Sequence, residues 1–388
     1  MKQLTCSHCS NRVFFENLSC ETCGSTLGYA PDEQLMIAFE TSAEDAWRRL
    51  GPPGPGYRPC ANRKQGVCNW MLLADSAHDH CLSCRTTHTI PALATPQNRG
   101  YWAALEQAKR RLFYTLVELV LPTPNKLEDP ANGLSFEFLE QVDPKDRVLT
   151  GHDEGVITLN IAEADDVRRE QIRLSMHEPY RTLLGHFRHE IGHYYWDLLV
   201  QPTHWLEPFR ELFGDERRDY AAALQAHYES GPPPDWANRF VSGYASSHPW
   251  EDWAETWAHY LHMADSADTA MSFGVDAQNV ELTSDLFDFS DLWQPEHPEA
   301  GEFLDFLNGW VRLTNVLNEL SRSMGQPDYY PFVLPRVTVG KLQFIHEVIA
   351  EQRKRGKQPQ APLNPEEAPS QPPEAARRMQ TAPASPPS

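Results

Sequence analysis

Eight cysteines crowd between positions 6 and 84, and none occurs from 85 to 388. A segment built that way folds around crosslinks or metal ions, because so short a stretch buries too little apolar surface to hold itself together. The start, Met1-Lys2-Gln3-Leu4-Thr5-Cys6, has no apolar stretch of the kind a secretion signal needs. The expected compartment is therefore the reducing cytoplasm, where disulfides are rare, and metal is the expected crosslink. Cys6-x2-Cys9 and Cys20-x2-Cys23 stand ten residues apart, as two knuckles closing one tetrahedral zinc site would. Gly24 suits the strained turn after the second knuckle, and Val13-Phe14-Phe15 reads as a short strand between the two. Cys60, Cys68, Cys81 and Cys84 form a less regular second set, expected to hold a second structural zinc. His78, His80 and His88 lie close by and read as exposed loop residues; an interleaving of the two cysteine sets stays open. Metal substituting for a core is a sufficient reason for both sites, with docking of a protein partner as a secondary role.

The second constraint is His189-Glu190-Ile191-Gly192-His193. Residues i and i+4 of a helix share a face, so both imidazoles reach one metal ion. Glu190 then leans over the open side, where a carboxylate takes a proton from water. The flanking Leu183, Leu184, Phe187, Ile191, Tyr194, Tyr195 and Leu198 predict a helix from Tyr180, with Pro179 in its first turn. His186 reads as a packing or supporting residue. Trp196 and Leu199 stand where a metzincin carries Gly and His, so a third ligand comes from elsewhere.

The best source is His248-Pro249-Trp250-Glu251-Asp252-Trp253-Ala254-Glu255. Pro249 starts a helix, and Glu251 and Glu255 share one face at i and i+4. One carboxylate suits the metal; the other suits the far nitrogen of a ligand histidine. Aromatic neighbours argue that both acids are partly buried and need partners. Asp215, Glu216 and Asp219 are rival acids, better read as a helix start with local ion pairs to Arg217 and Arg218. Tyr244 is placed either to donate to a developing oxyanion or simply to pack.

Elsewhere the pattern predicts a helix over 101–119, with Trp102, Leu105, Leu112, Leu116 and Leu119 inward and Lys109, Arg110 and Arg111 on a solvated or partner-facing side. Leu134–Leu139, Arg147–Thr150 and Val156–Ile161 read as strands, with a turn at Gly151–Gly155. An edge of that sheet could pair with an extended substrate, or serve as sheet alone. Phe303, Phe306, Leu307, Trp310, Leu313, Leu317 and Leu320 form a helical core stripe. Tyr329–Pro335 is extended, and Val339–Arg353 is a last helix. After Gly356 the chain is rich in Pro, Gln, Ala and Ser, which predicts disorder. The net charge of −20 argues against a nucleic-acid or anionic-membrane partner, and no apolar run approaches the roughly 18 residues that span a bilayer.

The two helices together resemble the gluzincins, in which a Glu on a later helix completes H-E-x-x-H. Tyr244 and Glu251-Asp252-Trp253-Ala254-Glu255 look like the second helix of anthrax-lethal-factor-like peptidases. That resemblance implies Glu251 as third zinc ligand, Glu255 as the acid orienting a histidine, and Tyr244 as an aid to catalysis. The whole layout resembles a bacterial family of zinc-binding metallopeptidases with an N-terminal zinc ribbon. Cys20-Glu21-Thr22-Cys23-Gly24, Cys81-Leu82-Ser83-Cys84-Arg85, the H-E-x-x-H segment and the run from His248 to Glu255 carry the match, over roughly residues 1–350.

The expectation is an α+β, mostly α chain: a double zinc-ribbon module over 1–95, a zincin-like metallopeptidase domain with a small β-sheet over 96–355, and a disordered tail over 356–388. His189, His193 and Glu251 would hold one catalytic zinc, Glu190 would act as general base, and two structural zincs would fill the cysteine sites. The expected substrate is a peptide or protein. Two alternatives stand beside it: a non-catalytic adaptor whose helical-domain zinc is closed by His186 or His259, and an amidase acting on a non-protein substrate.

Overall fold

Positive backbone angles mark where the chain must turn sharply, and they recur in both first-set knuckles. Ser10 and Gly24 adopt φ of +61° and +73°, and each donates its N–H to the carbonyl of the knuckle's first cysteine, Cys6 or Cys20, at 2.9 and 2.8 Å. Only glycine takes that conformation without strain, which accounts for Gly24. The computed structural model describes residues 2–42, 46–141, 148, 150–175, 181–282 and 286–356. Their described parts divide into two units: 1–118, 122–190 and 268–276 form the first, and 119–121, 191–267 and 277 onward form the second.

The first unit begins with small antiparallel elements. β1 (Leu4–Thr5) pairs with β2 (Arg12–Val13), which covers only the first residue of the predicted 13–15 strand. β3 (Thr26–Ala30), β4 (Leu35–Thr41) and β5 (Trp47–Leu50) make a three-stranded sheet, and β6 (Tyr57–Pro59) pairs with β7 (Met71–Leu73). Ala30, Ile37, Phe39, Tyr57 and Met71 form one buried cluster. Phe15, Tyr29 and Trp70 form another, which Tyr114 of helix α1 (Pro96–Glu118) completes; Phe15 lies 4.8 Å from Tyr29 and 5.6 Å from Tyr114, ring to ring.

A four-stranded mixed sheet comes next, in the order β10-β11-β9-β8. β8 (Thr87–Thr89) follows the 3-10 turn Cys84–Thr86 that holds the last cysteine, and β9 (Ser135–Leu139) runs parallel to it. β10 (Gly151–Asp153) and β11 (Val156–Asn160) form a hairpin. The predicted turn over 151–155 narrows to Glu154 and Gly155, both at positive φ, as a two-residue hairpin turn demands. The Gly-His-Asp segment, polar enough to look like loop, is pulled into the ladder by pairing with Val156–Thr158. The predicted strand over 147–150 falls largely outside the described residues. Helix α2 (Asp166–Ser175) leads towards α3 (Leu183–Tyr195), which begins after the predicted Tyr180; Pro179 and Tyr180 are outside the described residues.

Lys109 and Arg110 do not face solvent or a partner: they are 0% and 5% exposed, and only Arg111 is half-buried. The correction has a physical cause. Glu106, the Thr87 hydroxyl, the Val67 carbonyl and Glu16 supply the partners that let the charges leave water.

The second unit is helical: α4 (Leu206–Phe213), α5 (Tyr220–Ser230), α6 (Pro249–Ser272), α7 (Ala300–Ser323) and α8 (Arg336–Gly356). After Tyr195 the chain winds into a single π-turn over Trp196–Val200. Trp253, fully buried, packs against Phe209, Phe213, Trp257 and Phe344. Beside it Lys341 of α8 pairs with the buried Asp252 of α6 at 2.5 Å. The α7 stripe is buried at Phe303, Leu307, Trp310 and Leu313 but ends before Leu320, which is exposed. Tyr330 packs 4.5 Å from Trp310, whereas Tyr329 and Val333 of the same stretch point outward. The predicted tail lies outside the described residues beyond Gly356. No helix among the described residues is long and apolar enough to cross a membrane.

One half-buried group of this unit predicts acid sensitivity. His346 of α8 bonds the Tyr260 hydroxyl at 2.8 Å, and burial holds its pKa at about 4 despite the nearby Glu299 carboxylate. A histidine whose folded pKa lies below its unfolded value of about 6.5 contributes stability above pH 6.5 and loses it as pH falls towards 4. His346→Gln keeps a hydrogen-bonding side chain and removes the titration. Equilibrium unfolding at pH 7 and pH 5 should show the variant losing about 2 kcal/mol less than the parent on acidification; equal losses would refute it.

Candidate metal centres

A tetrahedron with bonds of about 2.3 Å to sulfur has an S···S edge of about 3.8 Å. Sulfur separations in both cysteine sets match that edge: Cys6–Cys23 at 3.8 Å, Cys9–Cys20 at 3.6 Å, and Cys68–Cys81 at 3.7 Å. All eight thiols are free, and the described sets close as Cys6, Cys9, Cys20, Cys23 and as Cys60, Cys68, Cys81, Cys84, without interleaving. Backbone amides of Trp70, Cys81 and Cys84 point at the second set's sulfurs at 3.4–3.5 Å. His78 and His88 are exposed, and His78, His80 and His88 stand outside these groups. The donor sets and their spacing fit zinc.

The third group stands on helices α3 and α6. His189 and His193 lie one turn apart on one continuous helix, and the donor atoms of His189, His193 and Glu251 all lie within 4.8 Å of one another. His193 Nε2 stands 3.6 Å from Glu251 Oε2; ligand bonds of about 2.0–2.1 Å predict an edge of about 3.4 Å. Close approach of the helices depends on Gly192. A Cβ there would stand 3.1 Å from the Ala254 Cα, and the Trp253 indole donates to the Gly192 carbonyl at 2.8 Å. Trp250 lies against the His193 ring at 3.8 Å between centroids. Glu190 is 8% exposed and Glu251 1%.

Glu251 is held by a residue that sequence reasoning missed. Tyr220, at the start of α5, donates its hydroxyl to Glu251 Oε1 from 31 residues away. Nothing in the local pattern marks that tyrosine. The second acid, Glu255, accepts from the Ser242 hydroxyl at 2.6 Å. Tyr244 occupies a short 3-10 turn, with its ring 5.8 Å from that of His227 on α5. Buried His248 faces the Arg218 carbonyl with Nε2 and the Trp250 N–H with Nδ1. Burial pushes its pKa down, so it is a neutral imidazole donating through Nε2 and accepting through Nδ1.

The rival acids are otherwise engaged. Asp215 pairs with Arg217, Glu216 with Arg210, and Asp219 caps α5 by accepting from Ala222 N. His186 lies 3.4 Å from Glu163, and His259 meets the Tyr330 hydroxyl with the Phe332 ring at 4.5 Å.

Comparison with known proteins agrees with this layout. Residues 98–348 match a family model described as "Putative zinc-binding metallo-peptidase", and residues 3–95 match a zinc-ribbon domain. Uncharacterized proteins of Mycobacterium bovis and Mycobacterium tuberculosis are 43% identical over 352 residues, covering 90% of this chain and 96% of theirs. No solved structure matches.

Tyr220→Phe should loosen the third group without unfolding the protein. Partners that orient a ligand are worth roughly 10–100-fold in metal affinity, and one lost hydrogen bond costs about 1 kcal/mol of stability. Zinc competition on the full chain should show weaker retention of one ion in three; unchanged retention would remove Tyr220 from the site.

Proposed function

Because the chain belongs to the zinc-binding metallo-peptidase family, we propose that it hydrolyses peptide bonds at the group formed by His189, His193 and Glu251. The observation that carries this reading is a three-donor group with an acid, Glu190, beside its first histidine on the same helix. Three protein donors suit a catalytic ion, which keeps a fourth position open, whereas structural sites close with four. Among the described residues no fourth protein donor joins the group. The contacts of His186 with Glu163 and of His259 with Tyr330 also weigh against the adaptor reading.

Zinc, when bound, supplies Lewis-acid polarisation of a carbonyl and acidification of water. The chain's own residues do the rest. Glu190 accepts the proton of the attacking water and returns it to the leaving amine. Tyr220 fixes the Glu251 carboxylate through Oε1, leaving Oε2 towards His193. Glu255, steadied by Ser242, serves to orient a histidine, and Tyr244 donates to the developing oxyanion. The eight cysteines hold two further ions that are structural.

Glu190→Gln keeps the shape and removes the base. The variant should bind three zinc per chain, like the parent, and lose hydrolysis of an unbiased peptide library by about 10³-fold or more. Full turnover in the variant would exclude Glu190 as the base, and two zinc or fewer in the fully reduced parent would remove one of the proposed sites.

A further inference from the structure

The two cysteine sites differ in what surrounds them. In the first, Cys9 and Cys23 are partly exposed, and no Lys or Arg side chain stands against their sulfurs among the described residues: Asn11 Nδ2 reaches Cys9 Sγ at 3.6 Å, and Ser25 and the His8 ring stand beside Cys23. In the second, all four cysteines are buried. Zinc with four thiolates carries a net charge of −2, and burying that charge is prohibitive unless cations accompany it.

Those cations come mostly from helix α1, outside the cysteine module's own loops, with Arg63 supplied from within. Helix α1 sends Glu106, Lys109 and Arg110 inward, all 5% exposed or less. Cys84 Sγ lies 3.8 Å from Glu106 Oε2. The Glu106 carboxylate also accepts from the Thr87 hydroxyl at 2.6 Å and from the Trp102 indole at 3.3 Å, and Lys109 pairs with it at 3.2 Å. Arg110 donates to the carbonyl of Val67, the residue before Cys68, and interacts electrostatically with Cys68 and Cys84. Arg63, set over the Trp47 ring, interacts with Cys68 as well. Glu16 pairs with both Arg110 and Arg111. The cations Arg63, Lys109, Arg110 and Arg111 thus face the carboxylates Glu16 and Glu106 and a dianionic metal site, and the charges balance.

Lys109 also carries the arrangement onward. Its ammonium stands 5.1 and 5.5 Å above the rings of Phe136 and Phe138 on β9. Those rings meet Phe187 of α3 at 5.7 and 6.2 Å, two residues before His189.

We propose that Lys109 and Arg110 of helix α1, with Arg63, supply the compensating charge of the second cysteine site, Glu106 anchoring Lys109 beside it, so that its metal is locked in while the metal of the first site is exchangeable. The inference rests on zinc filling the cysteine sites and is independent of peptide hydrolysis. The second site is then a tie between the cysteine-rich segment and the sheet beneath the H-E-x-x-H helix, and the first is a separable surface knuckle.

The test uses zinc-loaded full-length protein, challenged with the chromogenic chelator 4-(2-pyridylazo)resorcinol, whose zinc complex absorbs visible light, and followed by that absorbance and by native mass spectrometry. A Cys9→Ser/Cys23→Ser variant, lacking the first site, identifies that site's phase. In the parent, the first-site ion should leave at least tenfold faster than the second-site ion. Arg110→Met should speed release from the second site about tenfold or more and leave the first-site rate unchanged, and Arg110→Lys should restore most of the retention by keeping the charge. Cadmium-113 NMR of the cadmium-loaded chain should show Arg110→Met moving one of the two tetrathiolate resonances. Equal release from both sites in the parent would overturn the proposal. So would unaltered second-site release in Arg110→Met, or a lysine variant as leaky as the methionine one. If Arg110→Met does not fold, the parent's two release rates and the Arg110→Lys retention decide the question. Fewer than two ions in the first-site and second-site clusters of the reduced parent would remove the premise itself.

Discussion

Charge buried inside this protein is tolerated only where a partner stands ready, and that requirement organises both units. Glu251 is nearly inaccessible, yet it sits between the Tyr220 hydroxyl and the His193 ring. One residue along, Asp252 is fully buried against Lys341. Burial pushes the Asp252 carboxyl up to about 6, even with that ammonium beside it. The two acids point different ways from one helix, one towards the histidines and the other into α8. Removing Lys341 would leave Asp252 without its counter-charge in a dry interior, a change that typically costs several kcal/mol.

The same rule explains why the cysteine-rich segment does not stand apart from helix α1 and the mixed sheet. Its aromatic core takes Tyr114 from α1, its last strand joins that sheet, and its second metal group meets Glu106. A small cysteine module needs metal because its apolar core is small. Here it also borrows a helix. The family comparisons divide the chain near residues 95–98, while packing joins both sides of that point into one unit.

Much of the candidate site was legible because local geometry carries it. A C-x-x-C knuckle and a helical i, i+4 pair are short-range statements about backbone, so the eight residues concerned could be named from spacing, and Cys60 and Cys68 followed from the need for four ligands. The Glu251 helix was legible through Pro249 and the acid pair one turn apart. Lys109 and Arg110 misled, because three consecutive cations on a helix usually mark a wet face, and only Glu106, Thr87 and the Val67 carbonyl reverse that expectation. Gly151–Asp153 misled for a related reason: turn-like composition gave way to pairing with β11.

By itself the sequence determined which atoms can bind metal and which stretches coil or extend, since those depend on spacings of a few residues. Tertiary structure alone decided that Tyr220 steadies Glu251, that Ser242 meets Glu255, and that α1 brings Glu106 and Arg110 against the buried cysteine set. Each of these joins residues 13 to 43 positions apart. Contacts at that range arise from how whole helices pack, and no local period records them. The candidate metal ligands are therefore written along the chain, and the groups that make their burial tolerable are written only in the fold.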